Sequence, residues 1–184
     1  NARYPWRLRP YLGRNFEVIY ANENRALLEQ FKAMPDRSIG VYAASVFPSL
    51  GINSVFVGGD DLELPPDPKA IERFGNFCVL TTSAVQRPSG LMVFASARGP
   101  FEGRIVNGFH TIKPPYLMAR RWAVSWNPDD GPEAWGDVHP RFNDRAISGM
   151  TDGHSEMLDR RALQDMQHWS NQADRPDWVL TRIP

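Results

Sequence analysis

Residues 145 to 158 read RAISGMTDGHSEML, two short runs of strand-forming residues separated by Asp152-Gly153. A type I′ hairpin turn needs φ > 0 at both central positions, which Asp tolerates and Gly accepts freely. The pattern therefore predicts a two-residue loop with Thr151 facing His154 across it. Side chains alternate along a strand, so this register puts Ala146, Ser148, Met150, Ser155 and Met157 on a core-facing side. Ile147, Gly149, Thr151, His154, Glu156 and Leu158 fall on the other. Behind the hairpin, Asp159 is placed to cap a helix reaching Ala173, on which Ala162, Leu163, Met166 and Trp169 recur at helical spacing.

A chain of 184 residues fits one domain, with enough length to bury a sizeable core. Its 21 basic and 21 acidic side chains balance, which leaves no electrostatic footprint for nucleic acid or an anionic membrane. The single cysteine, Cys78, lies in an apolar run and reads as a small buried hydrophobe; no intrachain disulfide can form. No stretch approaches the roughly 18 consecutive apolar residues of a membrane span.

The remaining elements follow from periodicity and turn chemistry. Tyr4 to Leu12 is an aromatic-rich anchoring segment interrupted by Pro10. Asn22 or Asn24 can cap a helix to about Met34, with Leu27, Leu28, Phe31 and Met34 on one stripe. Ile39 to Phe47 reads as a strand, and Pro48 to Asp61 as a glycine-punctuated loop around the apolar run Ser54 to Val57. Asp67-Pro68 opens a short helix that Gly75 stops, presenting Ile71 and Phe74. Phe77 to Ser83 and Leu91 to Ala97 read as strands. Arg98 to Pro115 reads as irregular, Trp122 to Trp126 as an alternating strand, and Asn127 to Pro140 as a loop. The residues after Ala173 read as an extended tail. The expected fold is α+β over residues 1–184, an antiparallel β-sheet with flanking helices.

The run Ala146-Ile147-Ser148-Gly149-Met150-Thr151-Asp152-Gly153-His154-Ser155-Glu156 resembles a signature near the C-terminus of a large family of prepilin-like, or pseudopilin-like, proteins. Other pieces occur in matching order: Tyr4-Pro5-Trp6, Gly51-Ile52-Asn53 with Gly58-Gly59, and Val85-Gln86-Arg87-Pro88-Ser89. The family's histidine stands nine residues before its Asp-Gly, whereas here twelve residues, Pro140 to Thr151, separate His139 from Asp152. The resemblance implies a pilin-like globular head whose motif residues are Asp152, Gly153, His154 and Glu156. It also implies a leader and a hydrophobic N-terminal helix ahead of Asn1, that helix being the only membrane contact. Other pilin-like subunits would be the partners, in a type IV pilus-like or type II secretion-like filament at the periplasmic or extracellular face of the cell envelope.

Several residue sets could carry chemistry instead. The histidines His110, His139, His154 and His168 match no zinc-ligand spacing. Two acidic loops, Asp60-Asp61 with Glu63 and Asp129-Asp130 with Glu133 and Asp137, are of the kind that can supply calcium's oxygen ligands. The second loop lacks EF-hand alternation, and a solvated acidic loop is its simpler reading. No nucleophile elbow, P-loop or dinucleotide fingerprint is present, and the expected protein is not an enzyme. The alternative to a filament subunit is a secreted carbohydrate-binding module. That reading needs several of Trp122, Trp126, Trp135, Trp169 and Trp178 exposed and coplanar; buried rings favour a packed head.

Overall fold

The computed structural model describes residues 3–13 and 15–183; the side chain of Asn22 and residue Pro184, both weighed above, lie outside what is described. The protein is α+β. A five-stranded sheet runs in the order β5-β1-β2-β6-β7, from Thr111–Ile112, Leu50–Asn53, Met92–Ser96, Arg145–Met150 and Ser155–Asp159. Its pairs are antiparallel except β1 with β5, which is parallel. A separate hairpin pairs β3 (Arg98–Phe101) with β4 (Arg104–Asn107).

One face of the large sheet carries Gly51, Asn53, Ala95, Ala146, Ser148, Met150 and Leu158, all buried. Against it pack Leu163, Met166, Trp169, Trp122 and Trp135, which form the main core. The opposite face meets α1 (Tyr4–Leu8): the Tyr4 ring packs edge-on to Phe94 at 5.1 Å, and its hydroxyl donates to the Leu50 carbonyl at 2.6 Å. The aromatic N-terminal segment is thus an anchor, as its composition implied. A second core holds α2 (Arg25–Lys32) and α3 (Arg37–Val46) together through Leu28, Phe31, Ala43, Ala44 and Phe47, with Val106 and Phe101 of the small hairpin as its floor.

Several elements form where the sequence placed them. In α2 the stripe Leu27, Leu28 and Phe31 is buried. Helix α4 (Pro68–Phe74) starts on the Asp67 carboxylate, which accepts the Ala70 N–H at 2.8 Å, and stops at Gly75 with φ 72°. The residues 37–46 are helical rather than extended. Asp36 accepts from the N–H groups of Ser38 and Ile39, and this cap starts α3. Gly40, Ala43 and Ala44 then turn a small-residue stripe toward α2. A short apolar run rich in Ile and Val does not by itself distinguish strand from buried helix.

The other differences lie in the strands. β1 arises inside the expected glycine loop. Gly51 lets β5 approach, since a Cβ there would stand 2.7 Å from the Thr111 carbonyl. The stretch 77–83 contributes one isolated bridge, Val79 with Val57, and no strand. In the stretch expected to be irregular, Glu102 (φ 50°) and Gly103 (φ 75°) make the two-residue turn of the β3–β4 hairpin. Residues 122–126 form no strand: Trp122 is buried while Val124 is 81 % exposed.

The expected C-terminal helix is also interrupted. Asp159 caps it as read, accepting from Arg161 and Ala162, but α5 spans only Arg160–Leu163. A 3-10 turn, Met166–His168, follows with Asp165 as its own cap. The returning tail takes the Met166 N–H on the Pro176 carbonyl at 2.9 Å, a donor a continuous helix would have used internally. The apolar stripe survives the break: Leu163, Met166 and Trp169 are fully buried.

Candidate functional site

The hairpin tip carries the motif residues. Met150 and His154 pair directly, the Met150 N–H donating to the His154 carbonyl at 2.9 Å, and the Gly153 N–H returns to the Met150 carbonyl at 3.0 Å. The loop is therefore three residues long, Thr151-Asp152-Gly153, with Gly153 in the left-handed region at φ 92°. A loop of that length normally closes with a glycine at its last position. The extra loop residue shifts β7 by one relative to the predicted register, which exchanges its faces. Ala146 pairs with Leu158 and Ser148 with Glu156. Leu158 enters the core, and Met157, expected there, is 42 % exposed.

Asp152 Oδ1 accepts from the His154 N–H at 3.1 Å and from its Nδ1 at 2.6 Å. These bonds fix the Nδ1–H tautomer and hold the Asp152 carboxyl below the usual carboxylate range, the backbone N–H contributing most. The pair resembles the base and orienting carboxylate of a catalytic triad. Among the described residues, however, no hydroxyl or thiol hydrogen-bonds to His154, and the Thr151 hydroxyl donates to the Pro88 carbonyl at 2.8 Å.

Two of the stretches quoted for the resemblance, Val85 to Ser89 and Ala146 to Glu156, meet at this end of the sheet. Thr151 N–H donates to Leu91 O at 3.0 Å and Asp152 N–H to Pro88 O at 3.2 Å, which seats the tip on the 87–91 turn. Arg87 Nη2 donates to the carbonyls of Ser170 and Ala173 at 2.9 and 3.0 Å. Asn53 Nδ2 donates to the carbonyls of Met92 and Trp169 at 3.0 and 2.9 Å. His168 Nδ1 donates to Gly90 O at 3.1 Å. These side chains satisfy buried or half-buried backbone groups, so the arrangement ties three chain segments together. Glu156 stands half-buried opposite Ser148, and among the described residues neither side chain has a hydrogen-bond partner.

The acidic residues behave differently from a ligand set. Asp130, Glu133 and Asp137 lie near Arg98, a buried guanidinium that sequence reasoning passed over. Arg98 stacks on Trp126 at 4.2 Å and donates to the Pro128 and Asp130 carbonyls, both at 2.9 Å. The loop thus turns carbonyl oxygens inward onto a protein cation. Asp137, with φ 64° and 8 % exposure, is pushed up to about pKa 6 by burial and by Glu133, against the pull of Lys113 and Arg98. In the other loop, Asp60 accepts from Ser54, Leu62 and Glu63, while Glu63 pairs with Lys113 and Arg121. Among the described residues no three His, Cys, Asp or Glu side chains converge as metal ligands would.

Of the other histidines, His110 donates from Nδ1 to Val46 O at 3.3 Å, and burial drives its pKa down to about 4. His139 is likewise lowered to about 4 by burial and by Arg141 and Arg98. Its Nδ1 is buried without a partner. Cys78 is pushed up to about 11 by burial, the wrong direction for a reactive thiol.

The tryptophans form no sugar platform. Trp122, Trp135 and Trp169 are buried. Trp122 stacks on Trp135 at 4.8 Å and meets Trp169 edge-on at 5.7 Å. Trp126 lies edge-on to Trp135, and Trp178 packs against Phe56.

Comparison with protein-family models, with curated proteins and with solved structures found no match in any of the three.

Proposed function

We propose that this chain is the globular head of a prepilin-like subunit in a type IV pilus-like or type II secretion pseudopilus-like assembly. Its role is assembly rather than turnover: an N-terminal helix polymerises, and the head decorates the filament at the periplasmic or extracellular face of the cell envelope. The partners are other pilin-like subunits. The observation that carries this reading is the run Ala146 to Glu156, folded as a hairpin whose tip bonds to Pro88 of the quoted stretch Val85 to Ser89. The use of Arg87, Asn53, Thr151 and His168 as backbone ties also favours a structural motif over a reactive one.

The codons ahead of Asn1 test the proposal. A leader followed by roughly 20 apolar residues is the expected result, and a cleavable signal peptide with no such helix would overturn it. A screen of glycosidase, esterase and phosphatase substrates should stay at background. Turnover that disappears in Glu156→Gln or His154→Ala would replace assembly with catalysis.

A further inference from the structure

Away from the hairpin tip, an open pocket of about 420 Å³ lies between α5 and the returning tail, lined by Tyr116, Arg160, Arg161, Gln164, Pro176 and Asp177. Its chemistry is one-sided. Arg120 stands behind it and donates to four neutral acceptors: Tyr116 Oη at 2.6 Å, Gln164 Oε1 at 2.8 Å, and the carbonyls of Trp122 and Ala123 at 3.1 and 3.4 Å. Its positive charge meets no carboxylate among the described residues. Tyr116 and Gln164 accept from Arg120 through their oxygens, and among the described residues the phenolic O–H and the amide NH₂ have no acceptor of their own. Arg161 is exposed, and among the described residues its guanidinium has no partner. Arg160 is tied to Asp144. The one carboxylate in the lining, Asp177, pairs with Arg175 at 3.3 Å.

We infer that this pocket is a receptor for an oxyanion, a carboxylate or phosphate group of a ligand. A concave surface lined by unpaired hydrogen-bond donors, with two cations unneutralised, favours an acceptor-rich anion, and charge-assisted bonds to guanidinium are the strong kind. Arg120 holds Tyr116 and Gln164 in place as a positioning residue, while Arg161 and the two donors contact the ligand. The inference does not depend on the filament reading.

Calorimetric titration of the whole chain with succinate, and separately with inorganic phosphate, at ionic strength held constant with sodium chloride, tests it. Saturable binding of at least one probe is expected, and the tighter of the two names the oxyanion. Arg161→Ala removes the free cation, and Gln164→Glu replaces a donor with a repelling carboxylate. Each should weaken binding about tenfold or more, with an unchanged far-UV spectrum showing that the variants are folded. Absence of saturable binding by both probes, or an affinity unchanged in either variant, would overturn the inference.

Discussion

At the residue scale, three positions give quantities that can be measured. Trp169 is fully buried against Trp122, its indole N–H donates to Leu163 O at 2.9 Å, and its own carbonyl receives Asn53. Trp169→Ala should cost roughly 3–5 kcal/mol, a large part of the 5–15 kcal/mol typical of a domain, seen as a lower urea midpoint. Gly153 has open space around a notional Cβ, so Gly153→Ala feels only the backbone cost of φ 92°. A loss of about 1 kcal/mol or slightly more is expected, and no loss would contradict the turn described here. Asp137 sets a pH dependence. Its folded pKa of about 6 lies above the ordinary 3.8, so the folded state holds the proton more tightly. That contribution is fully present below about pH 3.8 and disappears as pH rises through 6. Asp137→Asn keeps the shape, tolerates the left-handed backbone and removes the charge. It should stabilise the protein by about 1–3 kcal/mol at pH 7, with the gain vanishing near pH 4. Equal urea midpoints for variant and parent at pH 7 would refute this.

At the scale of elements, the helix pair α2–α3 and the cap of α5 carry the tests. A Cβ at Gly40 would stand 2.1 Å from the Phe31 carbonyl, a backbone atom that cannot swing aside. Gly40→Ala should therefore push the two helices apart at a cost of about 1–3 kcal/mol, whereas Ala would raise helix propensity at an open site. A stability gain in thermal melts would show that the helices do not meet there. Asp159→Ala removes the acceptor for two N–H groups and should cost about 1 kcal/mol. Legibility differed sharply between elements. The caps Asp67 and Asp159, the stop at Gly75 and the stripe of α2 were readable because each is a local interaction within a few residues. The helix α3 was not, because Ile39, Val41 and Val46 favour a strand until Gly40 is seen against α2. The one-residue slip at Asp152-Gly153 shows the limit of turn chemistry: a three-residue loop uses the same dipeptide and exchanges every side chain of β7 between faces.

For the whole molecule, the C-terminal tail closes the core. Leu180 is 3 % exposed, its N–H donates to Leu117 O at 2.6 Å, and the Ile183 N–H reaches Arg73 O at 3.0 Å. Deleting residues 175–184 exposes this edge and frees Met166 N–H. The melting temperature of the protein should fall by roughly 5–10 °C; an unchanged value would mean the tail is dispensable for the fold. The two cores, one under the large sheet and one between α2, α3 and the small hairpin, share Phe109 at their boundary. Of the candidate site, the motif residues of the hairpin were legible as a group. Their partners were not, since the 87–91 turn, Asn53 and the 169–173 segment come from distant parts of the chain.

The amino-acid sequence alone determined what depends on near neighbours: the α+β class, the existence of the C-terminal hairpin, three helix boundaries, and the apolar stripe Leu163, Met166 and Trp169. Tertiary structure decided the rest. The order of strands, the insertion of β1 between β5 and β2, the loop length at Gly153 and the break after Leu163 follow from contacts between residues far apart in the chain. The same holds for Arg98, whose buried guanidinium donates through both Nη atoms to loop carbonyls and stacks on Trp126, and for the donor-lined pocket beside α5. Such groups acquire a role only when burial removes water and leaves protein atoms as their partners.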